Sequence, residues 1–196
     1  MTMEFQRDQF DNAAALPMLV IVDPCKRHLL AGSGICRAAS AGIIARCRAA
    51  LSVARARGLA VAFIRGDAAA QTGDRTAGGW LKGFEPARSD VLLDRRGPSC
   101  YTSEYFDDVA QAAGGEIVLA GFAGQGGCLA TVADAIYAGH RITVLRDATY
   151  DKVSEQFADI QLRQLAAFTK FDVRSTTVSG WTASLSTSFA WGNQCG

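Results

Sequence analysis

The sequence predicts an α/β fold, a six-stranded and mostly parallel sheet with helices on both faces. Three observations lead there. Short, nearly all-apolar runs recur along the chain, as strands buried on both faces require. Stretches with apolar residues at helical spacing separate them. Turn residues punctuate each change, and no internal repeat or low-complexity linker interrupts the alternation. Such alternation gives parallel strands joined by crossover helices.

The elements follow in order. MLVIVD (18–23) is the first strand. The Ala- and Arg-rich stretch from Ile35 to Arg57 is the first helix, ended by Gly58 in a C-cap position. LAVAFIR (59–65) is the second strand. Residues 66–88 hold Gly, Thr, Asp and Pro and read as a long loop anchored by Trp80 and Phe84. DVLLD (90–94) is the third strand, and 103–113 a helix with Ser103 as N-cap. EIVLAGF (116–122) is the fourth strand, and 128–138 a helix closed by Gly139. RITVLRD (141–147) is the fifth strand, Ser154 to Phe171 a long amphipathic helix, and DVRSTTV (172–178) the sixth strand. The Ser/Thr-rich stretch from Thr182 to Gly196 reads as a tail that frays or packs on a neighbouring subunit.

Bulk properties bound the function. A chain of 196 residues suggests one domain over 1–196, with its core at about 16–181. Hydrophobic residues at 49% and charged residues at 20% mark ordinary globular material. A net charge of +1 with no basic stripe argues against nucleic acid and anionic membrane as partners. No apolar run approaches the roughly 20 residues that span a bilayer. The polar start MTMEFQRDQFDNAA lacks the apolar core of a signal peptide, which points to the cytoplasm. The six cysteines, Cys25, Cys36, Cys47, Cys100, Cys128 and Cys195, form no CxxC pair and no zinc spacing with His28 or His140. They read as free thiols, several of them buried.

Ligands of such sheets bind beyond the carboxyl ends of the strands, near the switch in strand order. Three strand ends carry chemistry: Asp23 after the first, Asp94-Arg95-Arg96 after the third, and a glycine cluster before Cys128 after the fourth. A thiol at the start of a helix is a nucleophile candidate, because the helix dipole favours its thiolate.

Together these strand ends resemble the isochorismatase-like (cysteine hydrolase) superfamily, over about Met18 to Trp181. The resemblance implies a three-layer α/β/α Rossmann-like fold and a triad of Asp, Lys and Cys. Asp23 matches the Asp, although the following Asp-x-Gln pattern is here Asp23-Pro24-Cys25. The family Lys stands four residues before a Ser-aromatic stretch. Ser99 and Tyr101 match that stretch, which places Arg95 at the Lys position. Arginine keeps the charge but does not give up its proton near neutral pH, which favours carboxylate binding over proton shuttling. The nucleophile lies six residues after a Gly and four before a Thr. Counting from Gly121 and from Thr131 gives Gly127 both times, one place before Cys128. One residue on a helix is about 100° of rotation, so Cys128 is expected to face away from the site.

A Gly-Cys pair at this turn is similar to isochorismatases of siderophore and phenazine pathways, where glycine also replaces the nucleophile. Those enzymes cleave a vinyl ether, which needs a proton on the enol carbon and then water, without a thioester. The resemblance thus implies a hydrolase of a small, anionic metabolite with Asp23 as general acid or base and Arg95 holding the anion. Backbone N–H groups of Gly127 and Cys128 would bind an oxyanion or carboxylate. Phe122, Ala123 and Gln125 of the turn, with Tyr101 and Trp80, are the expected substrate-binding residues, and Phe84 could join Trp80 in an apolar wall. The peptide between Phe122 and Ala123 is the counterpart of a family cis bond. No metal and no cofactor is expected, since Phe63-Ile64-Arg65-Gly66-Asp67 lacks the family's metal ligands. Members usually form homodimers or homotetramers. Two other readings stand beside this one: a cysteine amidohydrolase that brings Cys128 into the nucleophile role, and a catalytically inactive member that binds a ligand or partner.

Overall fold

The computed structural model describes residues 16–25, 37–66, 79–122, 126–150 and 173–191. Among these the chain forms strands β1 (Met18–Val22), β2 (Val61–Gly66), β3 (Val91–Arg95), β4 (Glu116–Gly121), β5 (Arg141–Thr149) and β6 (Val173–Thr176). The helices are α1 (Arg37–Ala56), α2 (Phe106–Ala112), α3 (Gly127–Tyr137) and α4 (Val178–Trp191). The strands make one sheet in the order β3-β2-β1-β4-β5-β6, every pair parallel. This is a doubly wound order with its switch point between β1 and β4.

All five residues of β1 are buried, because helices cover both faces of this central strand. Its alternate residues divide between two cores. Leu19 and Ile21 join Phe63, Val118 and Ala120 under α1 (Cys47, Ala50, Leu51, Ala54) and α4 (Val178, Trp181, Leu185). Met18, Val20 and Val22 join Ile64 and Leu119 under α2 (Phe106, Ala110) and α3 (Cys128, Val132, Ala135). The period of two along the strand thus builds three layers.

The seam between β1 and β4 is tight. Gly121 has φ 114°, and a Cβ there would stand 2.3 Å from the Val22 carbonyl oxygen. Only glycine fits that approach. Beyond it, Phe122 N–H donates to the Val22 carbonyl at 2.7 Å and Tyr150 N–H to the Gly121 carbonyl at 2.9 Å.

Three sequence expectations are corrected. The stretch after Thr182 is not a tail: α4 continues to Trp191. Trp181 and Leu185 bury against α1, and the Thr182, Ser184 and Ser186 hydroxyls donate to the Val178, Trp181 and Thr182 carbonyls. Hydroxyls satisfied by their own helix explain how so many Ser and Thr are accommodated. The sixth strand stops at Thr176, and α4 begins at Val178, whose N–H donates to the Asp147 carboxylate at 2.9 Å. Ser103 does not cap a helix. It ends a 3₁₀ turn (Cys100–Thr102) by donating its N–H to the Cys100 carbonyl, and α2 starts later, after Tyr105. The helix expected over Ser154–Phe171 lies outside the described residues.

Candidate active site

The switch point brings together the carboxyl ends of β1, β2, β3 and β4. Asp23 leaves β1 with φ 49°, the left-handed region that Asp enters more readily than most residues. Its N–H donates to the Ile64 carbonyl, and its own carbonyl accepts from Cys25 N–H, both at 2.7 Å. This tight exit turns the carboxylate across the end of β2. There Oδ1 accepts the Gly66 N–H at 2.7 Å and Oδ2 accepts Arg95 Nη2 at 2.6 Å.

Arg95 is the last residue of β3, in register with Gly66 of β2. The glycine between Asp23 and Arg95 leaves the guanidinium a path across β2. The chain after Arg95 folds back to hold it: the Gly97 and Pro98 carbonyls accept from Nη1 at 2.5 and 2.6 Å. Both members of the pair are buried, Asp23 at 2% exposure and Arg95 at 8%. Arg95 Nε is also buried and finds no hydrogen-bond acceptor among the described residues.

On the β4 side, α3 opens at Gly126 with φ 70° and no capping side chain. Gly127, expected from its spacing to stand at the nucleophile position, is buried and carries no side chain. Cys128 is 3% exposed and packs with Met18, Val20, Val22, Cys100 and Phe106 in the core beneath α2 and α3. Phe122 is 1% exposed and belongs to the opposite core. Ala123 and Gln125 lie outside the described residues, and with them the Phe122–Ala123 peptide.

The expected wall aromatics are Trp80, Tyr101 and Phe84. Trp80 meets Phe63 edge-on at 5.5 Å between centroids, lies 5.4 Å from the Arg65 guanidinium and pairs by a backbone bridge with Cys25. Tyr101 meets Phe106 edge-on at 4.8 Å, and its hydroxyl is 2.7 Å from His140 Nδ1. Burial, with Asp107 adding to it, pushes the Tyr101 phenol well above its usual range. On the other side of the ring, His140 Nε2 faces the Gln111 side-chain oxygen at 3.1 Å. Phe84 is fully buried in the core under α1.

The sequence reading missed Cys100. Arg95 and Asp23 both act electrostatically on its thiol. Burial pushes this thiol up to about 11; a Thr131 hydrogen bond and Arg95 oppose the shift, and Asp23 adds to it. A thiol so placed is protonated at neutral pH and is a poor nucleophile. The only sequence signal was its position between Ser99 and Tyr101. Among the described residues no group of three or more His, Cys, Asp or Glu side chains could hold a metal ion. No helix there is long and apolar enough to cross a membrane.

Comparisons with known proteins bear on this geometry. A family model described as the isochorismatase domain matches residues 17–177. No curated protein sequence matches the chain. Among solved structures, an isochorismatase from Pseudomonas putida KT2440 is similar over 85% of this chain and 90% of its own, at 19% identity and TM-score 0.69. N-carbamoylsarcosine amidase from Thermoplasma acidophilum is similar over 83% of this chain and 96% of its own, at 20% identity and TM-score 0.67. A putative hydrolase from Chromobacterium violaceum ATCC 12472 is similar over 89% of this chain and 96% of its own, at 20% identity and TM-score 0.69. At these identities the structural likeness speaks for the fold.

Proposed function

The chain belongs to the isochorismatase family of hydrolases, and on that premise we propose that it hydrolyses a small anionic metabolite without a covalent cysteine. Asp23 is the general acid or base, and vinyl-ether or related hydrolysis is the reaction. The observation that carries this reading is Asp23 itself. A carboxylate is held in a left-handed backbone conformation at the switch point, with one oxygen on Gly66 N–H and the other on Arg95. Unfavourable backbone angles kept at a strand end favour a working residue.

Two further observations support it. Gly127, the position expected for the nucleophile, carries no side chain, and the adjacent Cys128 is buried. Arg95 keeps one buried N–H without an acceptor among the described residues, and a carboxylate oxygen or bound water would satisfy it. In the proposed reaction the Asp23 carboxylate first takes up a proton from water, the acid passes it to the enol carbon, water adds to the resulting oxocarbenium carbon, and the hemiketal collapses to a ketone and an alcohol. The proton released from water returns to the carboxylate.

The same reading places the protein in the cytoplasm as a homodimer or homotetramer. The free thiols Cys47 and Cys100 are in keeping with a reducing compartment.

The test uses isochorismate as the probe and follows release of pyruvate from its enol ether. Wild type should turn over, Cys128→Ala should keep the rate, and Asp23→Asn should lose about 10²-fold or more, the scale of general acid catalysis. Full activity in Asp23→Asn, or loss in a folded Cys128→Ala, would overturn the reading. Binding of the probe without turnover would also overturn it, in favour of a ligand-binding role.

A further inference from the structure

We propose that Thr131 is a positioning residue that fixes the direction of the Arg95 guanidinium from the first turns of α3. Thr131 is 1% exposed. Its hydroxyl donates to the Gly127 carbonyl at 2.8 Å and accepts the Cys100 N–H at 3.1 Å. A hydroxyl has one proton and two lone pairs, so it holds both bonds at once.

The bond to Gly127 alone would be an ordinary contact of a helical Thr with the carbonyl four residues back. The bond to Cys100 is different, because it joins α3 to the segment that follows β3. That segment is short and internally braced. Gly97 N–H donates to the Thr102 hydroxyl at 2.8 Å, the Thr102 hydroxyl donates to the Ser99 carbonyl at 2.7 Å, and the Ser99 hydroxyl accepts the Tyr101 N–H. The carbonyls of Gly97 and Pro98 from this same segment hold Arg95 Nη1. The path from α3 to Asp23 is thus Thr131, Cys100 N–H, the 97–100 turn, Arg95 and the carboxylate. Moving Cys100 away from α3 would carry the two carbonyls with it and release Nη2 from Asp23.

The inference rests on the reading of Asp23 and Arg95 as the working pair, but its test does not use turnover. The guanidinium nitrogens of arginine are labelled with ¹⁵N, and the Arg95 signals are assigned by their loss in Arg95→Lys. In wild type the Arg95 Nε–H and Nη groups should be protected from solvent exchange. Thr131→Val, close to Thr in shape but without the hydroxyl, should raise their exchange roughly tenfold, the factor for losing one buried hydrogen bond. Thr131→Ser should restore protection to within about threefold, since the hydroxyl returns. A folded Thr131→Val protein with wild-type Arg95 exchange would overturn the inference. So would loss of protection in Thr131→Ser equal to that in Val. If the Val variant does not fold, wild-type exchange decides. The Cys100 amide and the Arg95 Nε–H should then open together with urea, and Arg95 opening while Cys100 stays protected would overturn the coupling. Failure of Asp23→Asn to impair catalysis would remove the functional reading and leave this result unchanged.

Discussion

Arg95 Nη2 meets Asp23 Oδ2 at 2.6 Å across the end of strand β2, over a glycine. The two residues are 72 positions apart, on elements that do not touch in the sheet. Three backbone groups, Gly66 N–H and the Gly97 and Pro98 carbonyls, complete the pair. A buried ion pair of this kind depends on both partners, because either one alone is an uncompensated charge.

Arg95→Met should therefore lower unfolding free energy by about 3–5 kcal/mol. Asp23→Asn should cost less than Arg95→Met, since the amide oxygen can still accept from Gly66 and Asn also tolerates the left-handed backbone. Urea unfolding of the two single variants and the double variant checks this. A coupling near zero in the cycle would show that the pair is not a unit.

Stability should fall at alkaline pH. Burial is the main cause of the raised Cys47 thiol, at about 12, and of the Cys100 thiol, at about 11, against an ordinary 9.0. For Cys47 a Gly121 backbone hydrogen bond opposes the shift and the Asp147 charge adds to it. Both folded values exceed the unfolded one. The stability each thiol contributes is full below pH 9 and is lost as pH rises through the folded value. Between pH 9 and about 11, unfolding free energy should drop by up to about 1.4 kcal/mol per pH unit for each thiol. Cys100→Ala should make that slope shallower, and an unchanged slope would contradict the assignment.

Helix α4 should be needed for stability. Trp181→Ala should cost about 3–5 kcal/mol and Leu185→Ala about 2–5 kcal/mol, the range for large core side chains. A chain ending at residue 181 should unfold at lower urea than the full chain. Equal midpoints would mean that the Ser/Thr-rich segment is a tail after all.

Gly121→Ala should be among the most damaging single changes. The added methyl would overlap the Val22 backbone, at 2.3 Å from its carbonyl oxygen, at a φ that L side chains avoid. Low soluble yield or a loss of more than about 3 kcal/mol, with Gly139→Ala milder, is the expected outcome. Gly139 also has positive φ but open space around it, so it isolates the steric part.

Much of this was legible in the sequence. Apolar runs separated by helical spacing gave six strands and a mostly parallel sheet, and the ends of β1 and β3 exposed Asp23 and Arg95 as candidates. Spacing from Gly121 and Thr131 points to Gly127 as the nucleophile position. The remainder depended on contacts between distant segments. Gly66 and Pro98 serve through backbone atoms, which residue type does not advertise. Cys100 looked like any buried thiol until β3 and α3 were placed side by side. Helix α4 was misread because Ser and Thr disfavour helices in isolation, and only its packing on α1 reverses that preference. Tyr101 and Trp80 were expected to line the site, and the ring partners they also have are ones that periodicity does not reveal.

The closed seam at Gly121 also limits how the site can move. Strands β1 and β4 approach too closely there for even a methyl group, so the ends carrying Asp23 and Phe122 cannot slide past each other. They form a fixed wall. β3 is held differently, at the rim of the sheet with a single neighbouring strand, and Arg95 closes the other side of the pair from its end. The pair thus joins a residue set in the locked seam to one that reaches it from the edge of the described sheet.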